Sequence, residues 1–430
     1  MTYETALEKI HSLLTFGSRP GLSRMRELLR RLDNPQDKLR YIHVAGTNGK
    51  GSVCEMLSYI LTAAGYKTGL FISPYITDFR ERIQINNQMI DKKTLADAVE
   101  KTYPVLEQLR AEDIIITEFE YVNALQFYIH AEAKCDIVVL ETGMGGLLDC
   151  TNVIKPPLGS VITTIGLDHT AVLGGTIEEI AAQKCGIIKN GSAAFTSRQT
   201  PDAMKVIEET AARMNVPLIK SEDINLSVEE CSLEGSRFLA NDLNCTIKLA
   251  GRHQIENALT ALAVIFYFRN KKLLSLSDED ILDGLQNAAN PARLELLCKE
   301  PTVILDGAHN PDAIEALTKT YSAFAAANKI KRTLVIFGCM KDKNSVRMVQ
   351  LLTGGLKGCS YAATAVDNER AEDPSRICEL ISECGRGCKS FGTVSEAYGY
   401  AKDSGFECVL ACGSIYLAGE MRELFNSDHN

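Results

Sequence analysis

An apolar run, Tyr41-Ile-His-Val-Ala45, stops at Gly46, and the loop Gly46-Thr-Asn-Gly-Lys-Gly-Ser52 then opens into a helix-like segment. Strand, glycine loop and helix in that order make the first βα unit of a parallel sheet, so this stretch constrains both the fold and the chemistry. Glycines let backbone N–H groups converge on an anion, a helix N-terminus adds a favourable dipole, Lys50 supplies a point charge, and the Ser52 hydroxyl can ligate Mg²⁺. Residues Gly46, Thr47, Asn48, Gly49, Lys50, Gly51 and Ser52 therefore read as a phosphate cradle for a nucleotide. The spacing departs from G-x-x-x-x-G-K-[ST]: two residues separate Gly46 from Gly49, and Gly51 stands between Lys50 and the hydroxyl. A tight turn between strand and helix would account for the glycines but for neither the lysine nor the hydroxyl.

The alternation continues along the chain. Ile42–Ala45, Thr68–Ile72, Asp136–Leu140 and Ser160–Ile165 read as buried strands separated by amphipathic stretches of helix length, the pattern of a doubly wound parallel α/β sheet. Ligands of such sheets sit at the carboxyl ends of strands. The glycine loop, Glu141 and the Gly166–His169 loop each follow a strand directly. Residues 82–90 alternate on either side of Asn86-Asn87 and read as a hairpin. Between about 216 and 250 short alternating segments indicate a small β layer, and helical periodicity resumes at Gln254. Thr302–Asp306 opens a second βα series with Thr333–Phe337, Ser360–Ala365 and Glu407–Ala411. The expected division is an N-terminal domain over 1–296, β layer included, and a C-terminal domain over 297–430, with Asn426 to Asn430 frayed.

A chain of 430 residues exceeds one ordinary core, which agrees with two or three domains. The net charge of −9, with no Lys/Arg block, argues against a nucleic-acid surface. The N-terminus lacks a signal pattern and no apolar run approaches the ~18 residues of a spanning helix, so a cytoplasmic protein without a membrane partner is expected. The 14 cysteines are scattered and mostly in apolar runs, as Cys135, Cys339 and Cys408 are, and read as reduced core thiols. The alternative, a zinc site from Cys384, Cys388, Cys408 and Cys412, is disfavoured because the last two share one strand-like segment without a knuckle turn.

The shortened loop resembles that of the Mur ligase superfamily, and within it the folylpolyglutamate synthase and dihydrofolate synthase family. Further stretches fit in order: Ser73-Pro74 with Glu81-Arg82; Glu141-Thr-Gly-Met-Gly-Gly146 with Leu148-Asp149; Gly166-Leu-Asp-His169; Gln183-Lys-Cys-Gly186; Gly251-Arg-His-Gln254 with Asn257; Pro291-Ala-Arg293; Asp306-Gly-Ala-His309. The resemblance implies a P-loop-containing N-terminal domain and a smaller Rossmann-like C-terminal α/β domain. It also implies an ATP- and Mg²⁺-dependent amide ligase, a monomer, that joins L-glutamate to folates and to dihydropteroate through an acyl phosphate.

By this resemblance Lys50, His169 and Lys184 are the catalytic candidates. Ser52 and Glu141 would hold a first Mg²⁺, and His169 a second metal together with Lys184, which in the family can be carbamylated by CO₂. Carbamylation needs the neutral amine, only ~0.04% of an ordinary lysine at pH 7, so burial or a neighbouring cation must lower its pKa. Asn257 would face the adenine, Arg293 reach phosphate, and Asp306 with His309 close on the nucleotide from the second domain. Ser73, Pro74, Glu81, Arg82, Phe119 and Asp168 match positions near folate. Four residues depart from the family pattern: Tyr75 stands for a common histidine, Leu147 for arginine, Gln183 for glutamate and Ala292 for glycine. The rivals are another superfamily ligase, acting on a peptidoglycan precursor or a polyglutamate chain, and a nucleotide-dependent binding protein that no longer ligates.

Overall fold

The computed structural model describes residues 1–14 and 21–429, and the chain divides into two compact units. The first holds Met1–Leu226, Ala240–Leu243 and Glu256–Ala288, and the second holds Ser227–Leu239, Asn244–Ile255 and Ala289–Asn430.

In the first unit, β1 (Tyr41–Ala45), β2 (Thr68–Phe71), β3 (Ile83–Ile85), β4 (Gln88–Met89), β5 (Ile137–Glu141), β6 (Gly159–Ile162), β7 (Ala193–Thr196) and β8 (Leu218–Lys220) form one sheet, in the order β4-β3-β2-β5-β1-β6-β7-β8. From β2 to β8 all neighbours are parallel, while β3 and β4 make an antiparallel edge. Every residue of β1 is buried, which is why a continuous apolar run encodes it. His43 in that run is uncharged, because desolvation holds its pKa down at about 3, and its Nε2 bonds the Thr151 hydroxyl at 2.9 Å. The order places β5 and β6 on opposite sides of β1, so the chain reverses its winding there and leaves a crevice at the carboxyl ends. The hairpin turns on Asn86 (φ +52°) and Asn87 (φ +60°), the left-handed pair that a two-residue loop requires.

In the second unit, β9 (Leu226–Ser232), β10 (Gly235–Ala240) and β11 (Leu243–Ile247) form a three-stranded sheet. A six-stranded sheet follows from β12 (Glu295–Lys299), β13 (Thr302–Leu305), β14 (Thr333–Phe337), β15 (Ser360–Thr364), β16 (Cys388–Phe391) and β17 (Cys408–Cys412), in the order β12-β13-β17-β14-β15-β16. All its pairs are parallel except β12 with β13.

Four expectations need correction. The break falls between Ala288 and Ala289 instead of at 296, because β12 pairs with β13 and so belongs to the second sheet. Most of the small β layer groups with the second unit, where Leu233 and Ala250 join the core around Tyr321 and Phe337. The strand expected to reach Ile165 ends at Ile162, as Thr164 turns its carbonyl to the N–H groups of Thr47 and Asn48. The C-terminal helix Ile415–His429 carries Asn426 through Asp428, anchored by buried Leu417, Ala418 and Met421 and by the Lys402–Asp428 ion pair at 2.7 Å; Asn430 lies outside the described residues. Among the described residues no helix is long and apolar enough to cross a membrane.

The helix Asp278–Asn287 packs on Lys50–Ala63 through Gly284, where a Cβ would stand 2.3 Å from the Ile60 Cα. Gly284→Ala should therefore destabilise the first unit by about 1–3 kcal/mol through overpacking. Gly354, in the helix Ser345–Gly355, has nothing within 4 Å of an added Cβ. Gly354→Ala should stabilise the second unit by roughly 0.5–1 kcal/mol through helix propensity. Urea denaturation of the two variants checks the opposite signs.

Candidate active site

The phosphate cradle is built by the chain's return from β1. Gly49 is the N-cap of the helix Lys50–Ala63 at φ +87°, and a Cβ there would come within 2.3 Å of Asn257 Oδ1. A Cβ on Gly46 would fall 1.8 Å from Thr163 Oγ1. Thr47 and Asn48 donate their N–H groups to the Thr164 carbonyl at 2.9 and 3.2 Å, and the Thr47 hydroxyl bonds the Gly166 carbonyl at 3.0 Å. Gln199, which the sequence gave no reason to single out, pins the same loop by donating to Thr163 O at 2.9 Å and accepting from Ile165 N at 3.0 Å. Gly51 and the buried Ser52 sit in the first helical turn.

Glu141, the last residue of β5, lies beside this loop. One of its oxygens is 3.9 Å from Lys50 Nζ and the other accepts the Ser73 N–H at 3.2 Å. Lys50 also donates to the Thr47 carbonyl at 3.3 Å, so its charge stays at the cradle. Asp149, quoted above only as part of a motif, is buried and accepts from Met144 N, Thr151 N and Thr151 Oγ1 at 2.8, 3.0 and 2.6 Å, which fixes the 143–151 loop. An Asp placed to cap a short helical turn, two residues before a Thr, was the available signal.

Lys184, on the helix Ile177–Cys185, reaches the same place from the far side of the cradle. It is buried, and its Nζ donates to the Gly46 carbonyl at 2.7 Å. Burial, with the nearby Lys50 charge adding to it, lowers its pKa to about 7. His169 is an exposed helix N-cap at φ +51°, and its Nε2 stands 4.0 Å from Asp168 Oδ2. Asp168 in turn accepts the His169 N–H at 2.8 Å.

On the loop that follows β2 the residues separate into two roles. Glu81 accepts from Ile76 N, Thr77 N, Asp78 N and Thr77 Oγ1 at 2.7, 3.1, 2.9 and 2.8 Å, so its carboxylate organises the loop and is not presented to a ligand. Arg82 pairs with Glu118 at 3.3 Å and lies over the rings of Tyr75 and Phe79 at 5.1 and 5.4 Å. Phe119 packs against Gly143, where a Cβ would meet its ring at 2.2 Å, and against Phe71. Ser73 and Pro74 lead from β2 into this loop.

In the second unit Arg293 lies between two left-handed residues, Ala292 at φ +53° and Leu294 at φ +50°. Asp306 is buried and holds this turn, accepting Leu294 N–H and Ala308 N–H at 2.8 and 2.7 Å through its two oxygens. His309 Nδ1 bonds the Gly307 carbonyl at 2.9 Å. Cys408 and Cys412 are the first and last residues of β17, both buried, and burial pushes the Cys408 thiol up to about 11. Among the described residues no three His, Cys, Asp or Glu side chains gather as a metal site, so a metal at the cradle would depend on Ser52, Glu141 and oxygens of its substrates.

Residues 44–265 match the Mur ligase middle domain and residues 292–415 match the Mur ligase, glutamate ligase domain. The chain is 35% identical to the dihydrofolate synthase/folylpolyglutamate synthase of Bacillus subtilis, over 98% of each. It aligns with the structure of Mycobacterium tuberculosis folylpolyglutamate synthase complexed with ADP and AMPPCP at a TM-score of 0.86 and 27% identity, over 98% of this chain and 99% of that one. With Escherichia coli FolC in complex with DHPP and ADP the TM-score is 0.87 at 28% identity, over 100% and 99%. The chain belongs to the folylpolyglutamate synthase/dihydrofolate synthase family of Mur ligases. As a member of that family it is an ATP-dependent ligase. Two of the positions singled out in the sequence meet: Leu147 donates its N–H to the carbonyl of Gln183 in the helix Ile177–Cys185 at 2.7 Å and leaves its own side chain 46% exposed.

The lowered pKa of Lys184 has a stability consequence. In the unfolded chain the amine titrates near its ordinary value of 10.5, while in the folded chain it does so at about 7. Between those values the unfolded state binds more protons, so stability rises with pH across the window and is lost as pH falls toward 7. In Lys184→Met that rise should be reduced by several kcal/mol, on the order of 1.4 per pKa unit removed. Urea denaturation of both proteins at pH 7 and pH 9.5 checks the difference in slope.

Proposed function

We propose that this ligase adds L-glutamate to the free carboxylate of folates, and also to dihydropteroate, in the cytoplasm. An unactivated carboxylate must become an acyl donor before an amine can capture it. Its attack on the γ-phosphate of ATP releases ADP and leaves an acyl phosphate, which the glutamate amine opens through a tetrahedral intermediate with loss of phosphate. The observation that carries this reading is the close approach of Lys50 to Glu141 inside a glycine cradle where side chains do not fit. Lys50 neutralises phosphate charge, the N-terminus of the helix that begins at Lys50 orients it, and Asn257, packed against Gly49, faces the base. Arg293 and His309 are further candidates for binding the nucleotide phosphates.

Mg²⁺ fits the donors present, since the Ser52 hydroxyl and the Glu141 carboxylate are hard oxygens near the cradle. When bound it supplies charge neutralisation for the transferring phosphoryl group. His169 and a carbamylated Lys184 are the donors for a second ion. The neutral Lys184 amine attacks the carbon of CO₂, a C–N bond forms and a proton leaves; the carbamate keeps one N–H, enough to retain the bond to Gly46 O. A pKa of about 7 makes the neutral amine abundant at physiological pH. On the acceptor side, Ser73, Pro74, Phe119, Arg82 and Asp168 border the folate.

In a purified assay ADP release should require both the folate acceptor and glutamate, and Lys50→Ala should lose about 10²-fold or more in kcat with folding retained. ADP release indifferent to glutamate, or normal turnover of Lys50→Ala, would sink the reading. The same assay with dihydropteroate measures the second activity.

For the carbamate, Lys184→Ala should be nearly inactive and partly rescued by short carboxylates, and ¹³C-bicarbonate should give a carbamate NMR signal in the wild type alone. Full activity of Lys184→Ala would remove the idea.

A further inference from the structure

The turn that presents Arg293 is held in a backbone state its residues disfavour. Left-handed φ values crowd the Cβ of an L-residue against its own carbonyl, yet buried Ala292 and Leu294 both adopt them, one on each side of Arg293. Each has its N–H taken by a carboxylate. Asp306 Oδ2 accepts Leu294 N–H at 2.8 Å, and Glu295 Oε2 accepts Ala292 N–H at 2.8 Å. The Ala292 carbonyl is also engaged, by Gly307 N at 2.8 Å and by Arg293 Nη1 at 3.1 Å.

Glu295 would be free to swing toward water if it were alone. The Arg422 guanidinium pairs with the same Oε2, and Arg422 comes from the helix Ile415–His429, whose buried Leu417, Ala418 and Met421 fix it to the second unit's sheet. A residue near the C-terminus thus steadies the carboxylate that steadies Ala292.

We propose that Glu295, held by Arg422, is a positioning residue for Arg293, acting by locking Ala292 in its left-handed conformation. This rests on the assignment of Arg293 to the nucleotide phosphates. Glycine adopts the left-handed state without a restraining carboxylate, so the mechanism makes a specific claim: Ala292→Gly should compensate for loss of Glu295.

The experiment is steady-state kinetics on the full chain for Arg293→Ala, Glu295→Ala, Glu295→Gln, Arg422→Ala and the double variant Glu295→Ala/Ala292→Gly, each with a thermal melt. Glu295→Ala should lower kcat/KM for ATP by up to about 10²-fold, mainly through KM for ATP, with KM for glutamate unchanged. Arg422→Ala should lose less, Glu295→Gln should retain most of the activity because its amide oxygen still accepts, and the double variant should recover most of the loss. An unaffected Glu295→Ala beside an impaired Arg293→Ala would overturn the positioning role alone, as would a loss that Ala292→Gly leaves in place. An unaffected Arg293→Ala would overturn the phosphate assignment and this proposal with it. If Glu295→Ala does not fold, Arg422→Ala with and without Ala292→Gly poses the same question.

Discussion

The parallel register of β1 against β5 decides where the chemistry can be. Val44 pairs with Glu141, so Gly46 leaves the sheet beside that carboxylate, and the helix that begins at Lys50 returns the lysine to within 3.9 Å of it. A slip of one residue would turn Glu141 to the other face of the sheet and separate the two charges. On the opposite side Ala45 pairs with Ile162, which brings Thr163 and Thr164 against the loop, where the Thr164 carbonyl accepts its N–H groups and Thr163 fills the space that a Cβ on Gly46 would need. Three segments far apart in sequence are therefore brought together by main-chain pairing before any side chain takes part.

Low dielectric then sets the charge states of what has been gathered. Burial, with the Lys50 charge adding to it, lets Lys184 yield its proton near neutral pH. Glu55, on the same helix as Lys50, is pushed up to about 8 by burial, with Gln84 opposing and the Glu141 and Glu81 charges adding to the rise. At pH 7 it is mostly protonated, which leaves Glu141 as the carboxylate that counters Lys50. Neutralising the groups that cannot be solvated is how a buried site keeps a few defined charges without the cost of holding many.

The strands around the cradle were legible because parallel, doubly buried strands such as β1 and β5 are written as continuous apolar runs, and the glycine loop has a chemical signature. The Asn86-Asn87 turn was legible for a similar local reason. The domain boundary was not, because β12 carries half-buried residues that read equally well as the end of one domain or the edge of the next until its antiparallel pairing with β13 is known. Glu81 and Asp306 show the limit for site residues. Motif matching placed both near ligands, and the structure adds that backbone N–H groups close by in the chain bond their oxygens, a turn geometry that depends on φ values a sequence does not state.

The departures at 147 and 183 become intelligible on the same terms. What the fold takes from these positions is main chain: Leu147 N–H bonds Gln183 O, Asn152 Nδ2 bonds the Leu147 carbonyl at 3.2 Å, and Gly186 lies so close that a Cβ would meet the Leu147 Cα at 2.4 Å. The Leu147 side chain points into solvent, so exchanging it for a guanidinium would alter the charge at the loop surface without moving the backbone. A ligase scaffold of this kind can therefore vary the charge at this loop's surface while the register of β1, β5 and β6 keeps Lys50, Glu141 and Lys184 in place.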